Sequence, residues 1–298
     1  MSEPLRCAAV VAEDVAVAAQ LACLLEASAP KPGNVSPGRP FADLRYDAFL
    51  VSAAAIGIPI AGAGTRPVGA TVRRAIEATA RWARTNTNLG IVLLMAPIAR
   101  AALIDASCDD VGSRADLRAA VERVLAQTTV GDAVNVYAAI RRASPGGLGR
   151  ADQQDVAGEP TLTLREVMRL AADRDGVARE YATGFATTFD IAVPALRRAR
   201  RDRLSWEDSI VETFLTVLAG AADTHIERRG GPALAAGVSA RARAVLADGG
   251  VRSDRGRQAL DDMDRALRDP GHLANPGTTA DLTAAAIFVT LLVDGEHR

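Results

Sequence analysis

Apolar residues recur along this chain at three- and four-residue intervals, the spacing that gathers them on one face of an α-helix. Residues 12–28 carry Val15, Ala18, Leu21, Cys23, Leu24 and Leu25 in this way, and 46–56 and 67–84 follow the same period. Residues 89–103 form an apolar run bracketed by Asn88 and Asp105, in which Pro97 predicts a kink or an end. Four hydroxyl-x-x-acid signatures predict further helix starts: Ser113 with Asp116, Thr163 with Glu166, Ser205 with Asp208, and Thr278 with Asp281. Between the helices, residues 30–40 hold four prolines and cannot be helical. Residues 143–162 are polar and include Pro145-Gly146-Gly147, which predicts a surface excursion. No strong period-two run and no Asn-Gly hairpin signal occur. The pattern predicts one all-α domain over residues 1–298, with about ten or more helices.

Composition sharpens this picture. Alanine is about a fifth of the chain and aromatics only 4%, a balance that favours helices over sheets. The 298 residues suffice for a core that needs no staples. A formal net charge of -1 supplies no basic field, so neither nucleic acid nor an anionic membrane is an expected partner. Apolar stretches are broken by charge, Gly or Pro before 18 residues, so no membrane span is expected. Cys7, Cys23 and Cys108 are too few and too scattered for a disulfide framework or a metal cluster. The polar, acidic start predicts no secretory signal, and the cytoplasm is the expected compartment.

The candidate chemistry begins with charge usage. Of 35 basic residues, Lys31 is the one lysine and the other 34 are arginines. A lone lysine against that background suggests a place for a compact ammonium rather than a planar fork, such as a point contact to phosphate. It stands in Pro30-Lys31-Pro32-Gly33-Asn34, the densest turn chemistry in the chain. Thr85-Asn86-Thr87-Asn88 precede a helix with more polar groups than a cap requires, leaving some to face a ligand at the positive end of the helix. Asp223, Arg228, Arg229 and Gly230 follow a long apolar stretch. An acid there opposes the helix dipole, which marks Asp223 for a metal or a proton. Asn275, Gly277, Thr278 and Asp281 form another polar helix start. Together they suggest a polyphosphate site built from loops, although no GxxxxGK[ST] and no strand-linked GxGxxG is present.

In combination these segments resemble the triphosphoribosyl-dephospho-CoA synthase family. Pro30-Lys31-Pro32-Gly33-Asn34-Val35, followed by Asp43, is similar to that family's PKPGLVD region. Asn86-Thr87 with Gly90 is similar to its NTHKG, and 175–185 to its central helix. Asp223-Thr224 with Arg229-Gly230-Gly231 is similar to DTN…RGG, and 275–282 to NPGGSADLL. The resemblance implies an all-helical enzyme in which ATP loses adenine and its triphosphoribosyl group passes to a ribose 2′-hydroxyl of dephospho-CoA, with Mg²⁺. It implies phosphate contacts for Lys31, Arg228 and Arg229, and nucleotide contacts for Asn34, Asn86, Thr87, Asn88, Gly230, Asn275, Gly277 and Thr278. Asp223 and Asp281 become the base or Mg²⁺ candidates, with Asp43 as a further metal ligand. The chain departs from the family at Asn88-Leu89, where His-Lys stands elsewhere, and at Ser36, which replaces an acid. Two other readings stay open: a related pentosyl transfer to another cofactor precursor, for example a one-carbon carrier, and a non-catalytic nucleotide-binding protein. Partners are expected to be small nucleotides, with self-association left open.

Overall fold

In the computed structural model, residues 11–41, 44–105, 114–268 and 271–295 are described. They contain α-helices, short 3₁₀ and π segments and no named strand, so the all-α expectation holds among the described residues. The helices are α1 (Ala12–Ser28), α2 (Tyr46–Ala55), α3 (Gly57–Ala61), α4 (Val68–Thr79), α5 (Leu89–Asp105), α6 (Arg114–Ala126), α7 (Val130–Ala143) and α8 (Leu164–Ala171). They continue with α9 (Gly176–Thr183), α10 (Val193–Arg201), α11 (Trp206–Gly220), α12 (Thr224–Gly230), α13 (Pro232–Ala247), α14 (Asp254–Leu267) and α15 (Gly277–Asp294).

The centre of the molecule is α15, whose residues from Leu282 to Leu291 are all buried. It packs against α1, α5, α9, α10, α11 and α12. A helix apolar on all sides belongs inside other helices. By length and composition alone, α15 and the run Tyr46–Thr65 could each cross a bilayer. The first is the core helix, and the second breaks into α2, α3 and a 3₁₀ turn.

Pro97 neither ends nor interrupts α5, contrary to one of the two expected outcomes. Proline removes the amide that would bond the carbonyl four residues earlier, which is that of Leu93. Here the buried Tyr181 hydroxyl donates to the Leu93 carbonyl at 2.6 Å and satisfies the orphan.

The expected caps divide in instructive ways. Thr163 and Glu166 form a reciprocal capping box. Ser205 caps α11 from its hydroxyl, while Asp208 turns to Arg257 instead. Ser113 lies outside the described residues. A box that the sequence pattern missed starts α7, where Thr129 and Asp132 cap each other. Asp132 also accepts from the Gly69 amide at 2.7 Å, locking α7 onto α4 where the two helices cross too closely for a side chain at Gly69. The Thr278–Asp281 pair is no cap: α15 already starts at Gly277, so Thr278 is inside it. Thr278 instead shares a hydrogen bond with the Thr224 hydroxyl at 3.1 Å, and Asp281 is left without a capping role.

Candidate active site

Four helix beginnings and two connections surround a cavity of about 620 Å³. The starts of α5, α9, α12 and α15 contribute polar residues, the 31–41 loop closes one side, and α7, α8 and the 143–162 connection close the other. The predicted surface excursion at 143–162 is therefore a wall of the cavity. Tyr137 on α7 donates to the Gln154 carbonyl at 2.5 Å, and Arg141 to the Val156 carbonyl at 2.7 Å, holding that wall in place.

Asn34, Asn86, Thr87, Asn88, Arg228, Arg229, Asn275, Gly277, Thr278 and Asp281, scattered through the sequence, line this one cavity. Asn34 Nδ2 donates to Asn275 Oδ1 at 2.6 Å, joining the proline loop to the start of α15. Asn86 Oδ1 accepts from the Leu89 amide and caps α5. Thr87 bonds Ser52 on α2, and Asn88 donates to Thr79 on α4 at 3.1 Å. The surplus polar groups before α5 thus orient each other's segments. Two buried acceptors, Asn34 Oδ1 and Asn88 Oδ1, have no protein partner. Buried amides normally find one, so both oxygens are matched to donors on a ligand or water.

Asp281 is the carboxylate this cavity leaves open. No side-chain hydrogen bond or ion pair holds it among the described residues. Burial, and then the charges of Glu26, Asp223 and Asp175, raise its pKa well above the usual carboxylate range, with Arg228 opposing. Glu26 and Asp175 also border the cavity, but each has its own cation. Glu26 pairs with Lys31, and Asp175 with Arg228. Burial, then Arg228 and Arg229, push the His225 pKa down to about 4, so its imidazole is neutral at pH 7 and its Nε2 lies buried without a partner.

Four expectations need correction. Lys31 is engaged away from the cavity: it is 1% exposed and is not among the lining residues. Its ammonium lies 3.0 Å from Glu26 Oε1 and donates to the carbonyls of Glu26 and Ala29, so the lone lysine is a neutraliser of a buried acid at the end of α1. Glu26 was the residue to notice, because an acid in the last turn of an apolar helix opposes the dipole. The same signal misled at Asp223, which belongs to the next helix. Asp223 is 2% exposed and caps α12 through the His225 and Ile226 amides, while its other oxygen accepts from Thr279 N and Oγ1, both at 2.7 Å. Four accepted hydrogen bonds give this carboxylate a structural role that joins α12 to α15, while burial raises its pKa against them. Gly230 lies off the cavity and packs against Leu234. Arg229 reaches the cavity wall, yet its guanidinium donates to the carbonyls of Gly271 and His272. Asp43 lies outside the described residues.

Sequence reasoning missed the exposed Arg84 and Arg174, which border the cavity and carry no side-chain partner among those described. Arg84 immediately precedes the Thr85–Asn88 cluster, a position that could have singled it out. No group of three or more His, Cys, Asp or Glu among the described residues is placed to hold a metal ion.

A helical domain whose interhelical cavity gathers carboxylate, amide and guanidinium groups defines a class: an all-α protein with a polar pocket between its helix starts. The chain belongs to the ATP:dephospho-CoA triphosphoribosyl transferase family, whose pattern it matches over residues 12–298. Among similar proteins, one of Pseudomonas putida, named "Probable 2-(5''-triphosphoribosyl)-3'-dephosphocoenzyme-A synthase", is 38% identical over 116 residues, 38% of this chain and 40% of that protein. The chain thus aligns with well under half of the Pseudomonas relatives' length. A protein of the same name from Lactiplantibacillus plantarum is 25% identical over 89% of this chain and 91% of its own. The crystal structure of an Archaeoglobus fulgidus protein, assigned as a triphosphoribosyl-dephospho-CoA synthase, superposes with a TM-score of 0.62. The two share 25% identity, and the match covers 82% of this chain and 98% of that one.

Proposed function

We propose that this protein transfers the triphosphoribosyl group of ATP to the ribose 2′-hydroxyl of dephospho-CoA and releases adenine. Family membership supports the reaction. The observation that carries it to this chain is the open Asp281 carboxylate, with its raised pKa, facing a cavity of substrate size.

The chemistry follows from these residues. The bond between adenine N9 and the ribose anomeric carbon breaks, its electron pair leaving with adenine and positive charge developing on the sugar. The acceptor 2′-oxygen forms the new bond to that carbon, its proton passes to Asp281, and the departing adenine takes up one proton from solvent, so that the net exchange moves one proton from acceptor to leaving group. A carboxylate whose pKa is raised is a stronger base than an ordinary one. Developing positive charge beside Glu26, Asp175 and Asp281 relieves the repulsion that raised Asp281 in the ground state. Arg84, Arg174 and Arg228 are the guanidinium groups for the triphosphate. Asn34 and Asn88 offer acceptors to nucleotide amines or hydroxyls. The described residues do not group the carboxylates that a resident magnesium site would need. Magnesium belongs to the reaction as part of the MgATP substrate, which brings its own phosphate ligands. The substrates are small molecules, and a buried, reduced Cys23 suits a cytoplasmic setting.

Adenine release, followed chromatographically with MgATP and dephospho-CoA, tests the reaction. Turnover that disappears in Asp281→Asn supports it. Release only with a different acceptor, or nucleotide binding without release under any acceptor, refutes it.

A further inference from the structure

The polar residues account for only half of the cavity wall. The other half is aliphatic: Val136 and Ile140 from α7, Met168 and Leu170 from α8, and Leu148 and Val156 from the 143–162 connection. Its rim is not core packing. Leu148 is 43% exposed and Leu170 50%, and both stand outside the packed core while facing the cavity. Two half-exposed leucines beside a cavity leave apolar surface in water, and a ligand can cover it. Polyphosphate and ribose have no affinity for such a surface. The rings Phe41 and His272, tilted 42° to each other with centroids 3.9 Å apart, border the cavity by the 31–41 loop and the start of α15, away from this aliphatic wall.

The connection adds a second feature. Gly146 and Gly149 face open space where a side chain would be, with no atom within 4 Å. Both glycines are exposed and border the same cavity as the aliphatic wall. Methyl and methylene surface next to accessible amides is complementary to a flexible ligand that alternates the same two chemistries.

We infer that this aliphatic half is a subsite for the pantetheine arm of the acceptor. The arm's geminal methyls and methylenes lie on Leu148, Met168 and Leu170, and its amides meet the backbone of the 145–149 turn. The subsite rests on the acceptor proposed above and deepens it. It explains how a transferase with a plain nucleotide pocket would select a nucleotide carrying this arm over the many that lack it, since specificity needs contacts that competitors cannot make.

Calorimetric titrations of the full chain with dephospho-CoA and with MgATP test the subsite. They are repeated with 4′-phosphopantetheine present, and with the variants Leu170→Asp and Leu148→Asp. Both side chains are exposed, and circular dichroism checks that helicity is kept. The expected result is that phosphopantetheine competes with dephospho-CoA but not with MgATP. Each variant weakens dephospho-CoA binding about tenfold or more and changes MgATP affinity by less than about twofold. Failure of phosphopantetheine to compete, or equal losses for both ligands, overturns the subsite and leaves the acceptor standing. Wild-type protein that binds MgATP but not dephospho-CoA overturns the acceptor, and the subsite falls with it.

Discussion

Asp281 lies directly over the Cα of Gly90, so closely that a Cβ on Gly90 would overlap its carboxylate. Absence of a side chain at the start of α5 is what lets the first turn of α15 present its acid to the cavity. The glycine is in helical conformation, without positive φ, so its role is space rather than backbone freedom. Gly90→Ala is expected to displace the carboxylate while keeping α5, because alanine is the better helix former. Adenine release should fall at least about tenfold, since small misplacements of a reacting group cost rate steeply. Unchanged turnover, with unchanged helicity by circular dichroism, would show that Asp281 does no chemistry.

Asp281 also sets a pH signature. A carboxyl whose pKa is raised by folding favours the native state below its unfolded pKa, and that advantage is lost as pH rises through the native value. Asp281→Asn cannot ionise, so its melting temperature relative to wild type should climb from pH 4 to pH 8. A difference independent of pH would contradict the raised pKa.

His225 works in the opposite direction. Its native pKa, lowered to about 4, favours folding above the unfolded value of 6.5, and that support is lost as pH falls from 6.5 toward 4. The loss amounts to about 3 kcal/mol at most. His225→Gln should flatten the stability profile in this window, as followed by urea unfolding at a series of pH values.

Lys31 and Glu26 should behave as one unit. Lys31→Met leaves the Glu26 carboxylate buried without its cation, which is expected to cost about 3–5 kcal/mol of stability. The double variant with Glu26→Gln should recover much of that. Urea unfolding of the two reads the coupling, and a phosphate-binding lysine would show no such rescue.

Tyr181→Phe removes the hydroxyl that satisfies Leu93 beneath Pro97. A loss of about 1–3 kcal/mol is expected from the unpaired carbonyl. Replacing Pro97 as well, by Ala, restores the amide and should reduce the cost of the Tyr181 change.

Much of this molecule was legible in one dimension because helices are local. The helix at 12–28, the cap at Thr163 and Glu166, and the proline loop at 30–40 depend on neighbours within about one turn. The segments that the resemblance singled out also come together, since Asn34, Asn86, Asn275 and Asp281 line one cavity. Side-chain roles were less legible. Lys31 looked available because its sequence neighbours are turn residues, yet packing buried it against Glu26. Asp223 looked like a free acid because its second set of donors, on Thr279, lies on another helix.

The chain alone therefore determined which segments are helical, which loops carry polar groups, and to which family it belongs, since periodicity, caps and motifs are written in adjacent residues. Only the folded structure decided which charges are cancelled, that Asp281 faces the cavity without a side-chain partner among the described residues, and that leucines from α8 and the 143–162 connection complete the cavity. Burial and electrostatic partnership arise between residues far apart in the chain, and an aliphatic side chain lining a cavity has the same sequence signature as one lining the core.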